Sequence, residues 1–179
     1  LIISLIHDLP ARSIDFVSTF PHADLDVPVY MEMPQGIDVQ GDKEGRHIFV
    51  LKKSLYWLKQ ASYNWFEKLK GALQKRGFES SQIDPCVFIS KNMIILVYVD
   101  DCILLAKDNS VIDHFIASLA AKDKDGNKEF EFTDDGLLNN YLGVEFTKRK
   151  DGTMELKQEF LIDRVIQALD FKAEEMNSK

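Results

Sequence analysis

The chain has 179 residues, 45 % of them hydrophobic, which is enough for one sizeable core. With 22 basic and 29 acidic residues its net charge is −7, which argues against a strong stand-alone nucleic-acid binder. The two cysteines, Cys86 and Cys102, exclude a disulfide framework, and no apolar run approaches the roughly 18 residues of a membrane span.

Leu1 to Ile6 is apolar but lacks the basic flank of a signal peptide, and with no initiating Met the chain reads as cut from something longer. Residues 12–17 predict a short strand ending near Thr19-Phe20-Pro21. Val29 to Met33 alternates and stops at the turn signal Pro34-Gln35-Gly36. A polar loop from Asp38 to Arg46 leads to a strand at His47–Leu51. Between Leu58 and Arg76, Ala61, Trp65, Phe66, Leu69, Ala72 and Leu73 recur at helical spacing, and Gly77 closes the helix. That aromatic stripe reads as core packing. Strands follow at Cys86–Ser90, 93–99 and 102–106. Ser110 is expected to cap a helix through about Ala121, ahead of a charged loop at Lys122–Lys128. Further strands are predicted at Glu129–Thr133, Tyr141–Thr147 and Thr153–Lys157, then a helix from Phe160 to Leu169 and a frayed tail. The order predicts an α+β fold: an antiparallel sheet with helices on one face, around a split βαβ core.

The most informative feature is Tyr98-Val99-Asp100-Asp101. It sets two adjacent carboxylates between the apolar runs Met93–Val99 and Cys102–Ala106, the pattern of a hairpin with acids at its tip. Half-burying two like charges is unfavourable unless a cation neutralises them. Oxygen-only ligands favour Mg²⁺ or Mn²⁺. Thr133-Asp134-Asp135-Gly136 has the same acidic pair in a polar, glycine-containing setting and reads as a turn or helix start. His7, His22, His47 and His114 are scattered and read as structural or surface residues. A two-metal site needs carboxylates on neighbouring strands, so that cations about 3.5–4 Å apart hold both reacting oxygens. Asp15 fits the third position: it follows Ile14 in an apolar stretch and precedes Phe20 by five residues.

With these residues in place the chain resembles the reverse transcriptases of copia-type LTR retrotransposons, from about His7 to Leu169. Ile14 to Phe20 is similar to the first catalytic motif, and Val29 to Gly36 to a Tyr-Met…Pro-x-Gly segment. Lys53-Ser54-Leu55-Tyr56-Trp57-Leu58-Lys59-Gln60-Ala61 with Trp65-Phe66 resembles the substrate-positioning motif. Tyr98 to Asp101 resembles the catalytic hairpin and Tyr141-Leu142-Gly143-Val144-Glu145 the primer grip, and Asp84 to Phe88 is also family-like.

The resemblance implies a polymerase palm with a ferredoxin-like core over residues 1–170, and a disordered tail at 171–179. It implies an RNA-directed DNA polymerase that transfers nucleotides from dNTPs to a primer 3′-hydroxyl on an RNA or DNA template. Asp15, Asp100 and Asp101 would hold two Mg²⁺ or Mn²⁺ ions, with the Phe16 carbonyl and the Val99 backbone as further ligands. Phe20 would be the steric gate against ribose; Tyr56, Lys59, Gln60 and Tyr98 would contact substrate, and Leu142 and Gly143 the primer. Gln35 is assigned no role. Trp57 and Ser62 stand where the family has Gly and Pro. Fingers, thumb, ribonuclease H, protease and integrase regions would belong to the rest of the polyprotein, so these 179 residues alone are expected to have little or no polymerase activity. The expected setting is intracellular, in cytoplasmic virus-like particles or the nucleus, with no membrane partner. Other readings are a non-catalytic retroelement remnant that binds nucleic acid or a partner, a nucleotide cyclase, and a simple cation-binding protein.

Overall fold

The computed structural model describes residues 2–34, 36 and 47–169. The expected loop at 38–46, Gln35 and the tail from 171 lie outside them. In chain order the elements are α1 (Ile2–Ile6), β1 (Ala11–Phe16), α2 (Thr19–His22), β2 (Asp24–Glu32), β3 (Ile48–Lys53), α3 (Ala61–Lys75), β4 (Glu79–Ser80) and β5 (Val87–Ile89). They continue with β6 (Met93–Tyr98), β7 (Asp101–Ala106), α4 (Asn109–Ala120), β8 (Phe132–Leu137), β9 (Asn140–Tyr141), β10 (Val144–Lys148), β11 (Met154–Lys157) and α5 (Glu159–Ala168). The fold is α+β. Among the described residues no helix is long and apolar enough to cross a membrane.

The main sheet has the order β4-β5-β6-β7-β1-β8, and every neighbouring pair is antiparallel. Strands β1 and β6 therefore run parallel, joined through α3 with β7 between them. Strands β7 and β8 are likewise joined through α4 with β1 between them. Alternation along the strands sends Ile14, Phe16, Ile95, Cys102 and Leu104 to one face, where they pack with Trp65, Leu69 and Leu73 of α3 and Ile112, Phe115 and Leu119 of α4. Both helices thus cover one face, as expected. The opposite face is also covered: Ile103 and Leu105 pack with Leu138 and Phe146 beneath the small sheet β11-β10-β9.

Four sequence expectations change, each for a local reason. Strand β2 begins at Asp24 and passes through Pro28, which fits a two-stranded ribbon whose register shifts between Asp24 and Val29. Helix α4 is capped by Asp108, not Ser110: Asp108 is extended and its carboxylate accepts the Val111 N–H at 3.1 Å, while the Ser110 hydroxyl donates to it at 2.5 Å. The strand expected at 141–147 is broken into β9 and β10 by Leu142 and Gly143, both at positive φ (51° and 75°), as a two-residue hairpin turn of this hand requires. The strand expected at 129–133 lies at Phe132–Leu137, so Asp134-Asp135 is not a turn or a helix start. Pairing with β1 steps from Ser13–Gly136 to Ile14–Asp134 and leaves Asp135 as a bulge residue.

Arg12 ties three elements together. From β1 it donates to Asp113 of α4 at 2.5 Å and to Asp134 of β8. Its side chain is largely buried while Asp113 is largely exposed, so solvent screens part of the attraction. Arg12→Met, which keeps the stem and loses both hydrogen bonds, is expected to lower the unfolding free energy by about 1–2 kcal/mol in urea titration. Arg12→Lys should recover only part, because one ammonium cannot reproduce the guanidinium fork.

Candidate active site

The register of β1 and β7 sets Asp15 directly opposite Asp101. Both lie on the sheet face away from α3 and α4, in line with Ser13 and Ile103, because side chains alternate along each strand. Asp100 occupies the two-residue turn of the β6–β7 hairpin, in which Tyr98 faces Asp101.

That turn is held from two sides. Trp65 of α3 donates its indole N–H to the Val99 carbonyl at 2.6 Å, and the Phe16 N–H donates to the Asp100 carbonyl at 2.9 Å. Val99 itself sits at φ +56°, a strained conformation for a β-branched residue. A cavity of about 250 Å³ lies beneath it, lined by Trp65, Phe66, Cys86, Val97 and Val99. This cavity is on the helix side, whereas the carboxylates are on the opposite face.

Partial burial, and then the neighbouring Asp100 and Asp135, push the Asp15 carboxyl above its ordinary range. Asp101 is raised in the same way, by burial first and then by Asp100, Asp15 and Asp135. Among the described residues none of these three aspartates has a salt-bridge partner. Nor do any three acidic, His or Cys side chains there stand ready as a metal cluster. The backbone brings the carboxylates to one strand end without converging their oxygens.

Phe20 lies on α2, half-buried, with its ring edge-to-face against Tyr56 at 4.7 Å. The end of α2 is fixed by Lys68, whose ammonium donates to the His22 carbonyl at 2.6 Å, and by the Ser54 N–H donating to the Ala23 carbonyl at 3.0 Å. Burial lowers the Lys68 pKa, yet its charge suits a helix C-terminus. Lys59 is exposed and Gln60 half-buried just before α3, three and four residues beyond Tyr56. Leu142 and Gly143 form the turn of the β9–β10 hairpin. The space around Gly143 is open, so its positive φ, not a close approach, is what calls for glycine.

Three residues gain a part that the sequence alone did not suggest. Asp135 adds its charge to the Asp15–Asp101 pair from the bulge in β8. Tyr141 packs against the Ile103–Leu105 cluster; burial first, and then Cys102 and Asp101 among its neighbours, drive its hydroxyl upward, which places the β9–β10 hairpin near the acidic strand end. Trp65 is a core residue, as its spacing suggested, but its N–H also anchors the hairpin turn.

Carboxylates thus gather at adjoining strand ends, on a sheet crossed twice by helices. The chain belongs to the reverse transcriptase (RNA-dependent DNA polymerase) family, whose model matches residues 1–178. It is 33 % identical over 171 residues to the retrovirus-related Pol polyprotein of transposon TNT 1-94 from Nicotiana tabacum, covering 92 % of this chain and 12 % of that protein. It is 31 % identical over 160 residues to the transposon Ty1-BR Gag-Pol polyprotein of Saccharomyces cerevisiae, covering 89 % and 9 %. Against the Pol polyprotein of transposon RE1 from Arabidopsis thaliana it is 28 % identical over 158 residues, covering 86 % and 10 %. The chain thus spans about a tenth of the length of these relatives. No solved structure matches it.

Proposed function

We propose that the face carrying Asp15, Asp100 and Asp101 is the nucleotidyl-transfer site of a polymerase palm, formed by residues 1–170 around a ferredoxin-like core. The observation that carries this reading is the Asp15–Asp101 opposition beside Asp100, with the Asp15 and Asp101 carboxyls raised by burial first and then by the charge of Asp100. Three unneutralised carboxylates fit Mg²⁺ or Mn²⁺, since hard divalent cations prefer oxygen ligands. The Phe16 main-chain carbonyl adds a further ligand, whereas the Val99 carbonyl, expected as a weak one, is engaged by the Trp65 indole N–H on the helix side. Bound there, two such ions supply Lewis-acid activation of the primer hydroxyl and charge neutralisation at the triphosphate.

The chain's own residues position the reactants. Phe20, braced by Tyr56, forms a wall on which a ribose 2′-hydroxyl collides, while Tyr98, Lys59 and Gln60 contact substrate. The Leu142–Gly143 turn holds the primer strand. The partners are an RNA or DNA template with its primer, dNTPs and the other Pol regions, in the cytoplasmic particle of a retroelement. A polyprotein carrying this segment should extend a DNA primer on an RNA template with Mg²⁺ and stop doing so with Asp15→Asn. Extension that is indifferent to Asp15 would sink the proposal. Phe20→Val should raise ribonucleotide incorporation relative to deoxynucleotide by about a hundredfold, read as the ratio of kcat/KM values, because pocket volume sets the discrimination. The rival reading, a degenerate remnant, is favoured by Trp57, whose φ of +75° would suit glycine.

A further inference from the structure

Trp57 is 101 % exposed and strained at φ +75°. Neither feature helps the fold: a bulky residue is disfavoured in the left-handed region, and a bare indole leaves its apolar surface in water. The setting is electropositive against the trend of the chain. Residues 47–66 carry Lys52, Lys53 and Lys59 and no Asp or Glu, in a protein of net charge −7. All three lysines are exposed, with Lys53 paired to Asp24 at 2.5 Å. Exposed aromatics accumulate in the same stretch: Tyr56, Trp57 and Tyr63. Tyr56 ties the stretch to the strand end bearing Asp15 through its contact with Phe20, which follows Asp15 by five residues.

We propose that Trp57 is a stacking platform for a nucleobase at the edge of the transfer site, with Lys52 and Lys59 drawing in the attached phosphates. Flat aromatic faces beside cations are how proteins hold unpaired bases without reading sequence. The inference rests on the polymerase reading of the site. It also gives the Trp at this position a use other than decay. The base belongs either to an incoming nucleotide or to an unpaired template position.

The chain itself supplies the probe, because its two tryptophans differ in surroundings. Trp65 is buried and hydrogen-bonded, so its emission lies to the blue, whereas Trp57 emits as solvated indole. The red component should be quenched saturably by a single-stranded oligonucleotide at low ionic strength without added metal. Quenching by dNTP as well assigns the base to the incoming nucleotide; quenching by the oligonucleotide alone assigns it to the template. Trp57→Ala should weaken binding of a dye-labelled oligonucleotide about tenfold by fluorescence anisotropy, while Trp57→Phe, which keeps a flat face, stays close to the parent. Circular dichroism melting should show Trp57→Ala folded and no less stable, since the substitution removes the exposed indole and spares the core. No quenching by either probe, or parental affinity in Trp57→Ala, overturns the proposal; the first result leaves Trp57 as a surface for another protein region. Quenching should persist in Asp15→Asn, and absence of primer extension by the parent polyprotein with stacking intact would count against the transfer site alone.

Discussion

Asp101→Asn is expected to abolish nucleotide transfer and, at neutral pH, to raise the thermal stability of the chain. The loss follows if Asp101 is a cation ligand as proposed: Lewis-acid stabilisation supplies several kcal/mol, so the rate should fall about 10³-fold or more. The gain follows from electrostatics. Burial, together with Asp100, Asp15 and Asp135, raises the Asp101 carboxyl, so the folded chain holds its proton more tightly than the unfolded chain does. Ionisation of such a group opposes folding. The penalty is fully present above the folded-state pKa and disappears as pH falls below the unfolded value. The variant should therefore melt above the parent near pH 7, with the gap closing on acidification. Asp15→Asn should behave alike, since burial and then Asp100 and Asp135 raise its carboxyl. Melting curves across the pH range, beside primer extension by a polyprotein carrying each variant, check both signs. A variant that melted below the parent at every pH would place Asp101 in the architecture and not in the chemistry.

Trp65 should be the most expensive single truncation near the site. It is buried, packs edge-to-face on Phe16 at 5.3 Å and on Phe130 at 5.7 Å, and donates to the Val99 carbonyl. Trp65→Ala is expected to cost about 3–5 kcal/mol, which is a large share of a typical domain stability of roughly 5–15 kcal/mol. Trp65→Phe is the more informative change. It keeps most of the ring packing and loses the hydrogen bond, worth about 0.5–1.5 kcal/mol. The strained hairpin turn then lacks one of its two anchors, and Asp100 is next along the chain from Val99. Small displacements of a reacting group reduce rates by up to about a hundredfold, so transfer should fall more than stability does. Urea titration paired with extension kinetics separates the two effects. Equal losses in both would mean that the indole N–H contributes packing only.

The hairpin and the two crossover helices were legible because local patterns dictate them. Met93–Val99 and Cys102–Ala106 are uninterrupted apolar runs flanking the acidic pair, and the α3 stripe repeats at helical spacing. Asp15 was legible as a candidate, but not its register against Asp101, which depends on pairing across 86 positions of chain (101 − 15). The Asp134-Asp135 pair misled because turn-like composition also suits a bulged strand, and only the pairing with β1 separates the two. The second role of Trp65 was hidden for a similar reason: helical spacing reports that a face is buried, not where an indole N–H points. The choice of Asp108 over Ser110 as cap turned on one residue's extended backbone, finer than pattern reading resolves.

The proposed divalent-cation site combines Asp15, Asp100 and Asp101. Its most direct test is a Mn²⁺ titration of the chain followed by electron paramagnetic resonance, run beside Asp15→Asn and Asp101→Asn. The expected result is saturable binding in the parent that weakens sharply in each variant, with Mg²⁺ competing for the same site. Binding of equal strength in parent and variants, or no saturable binding at all, would contradict the claim.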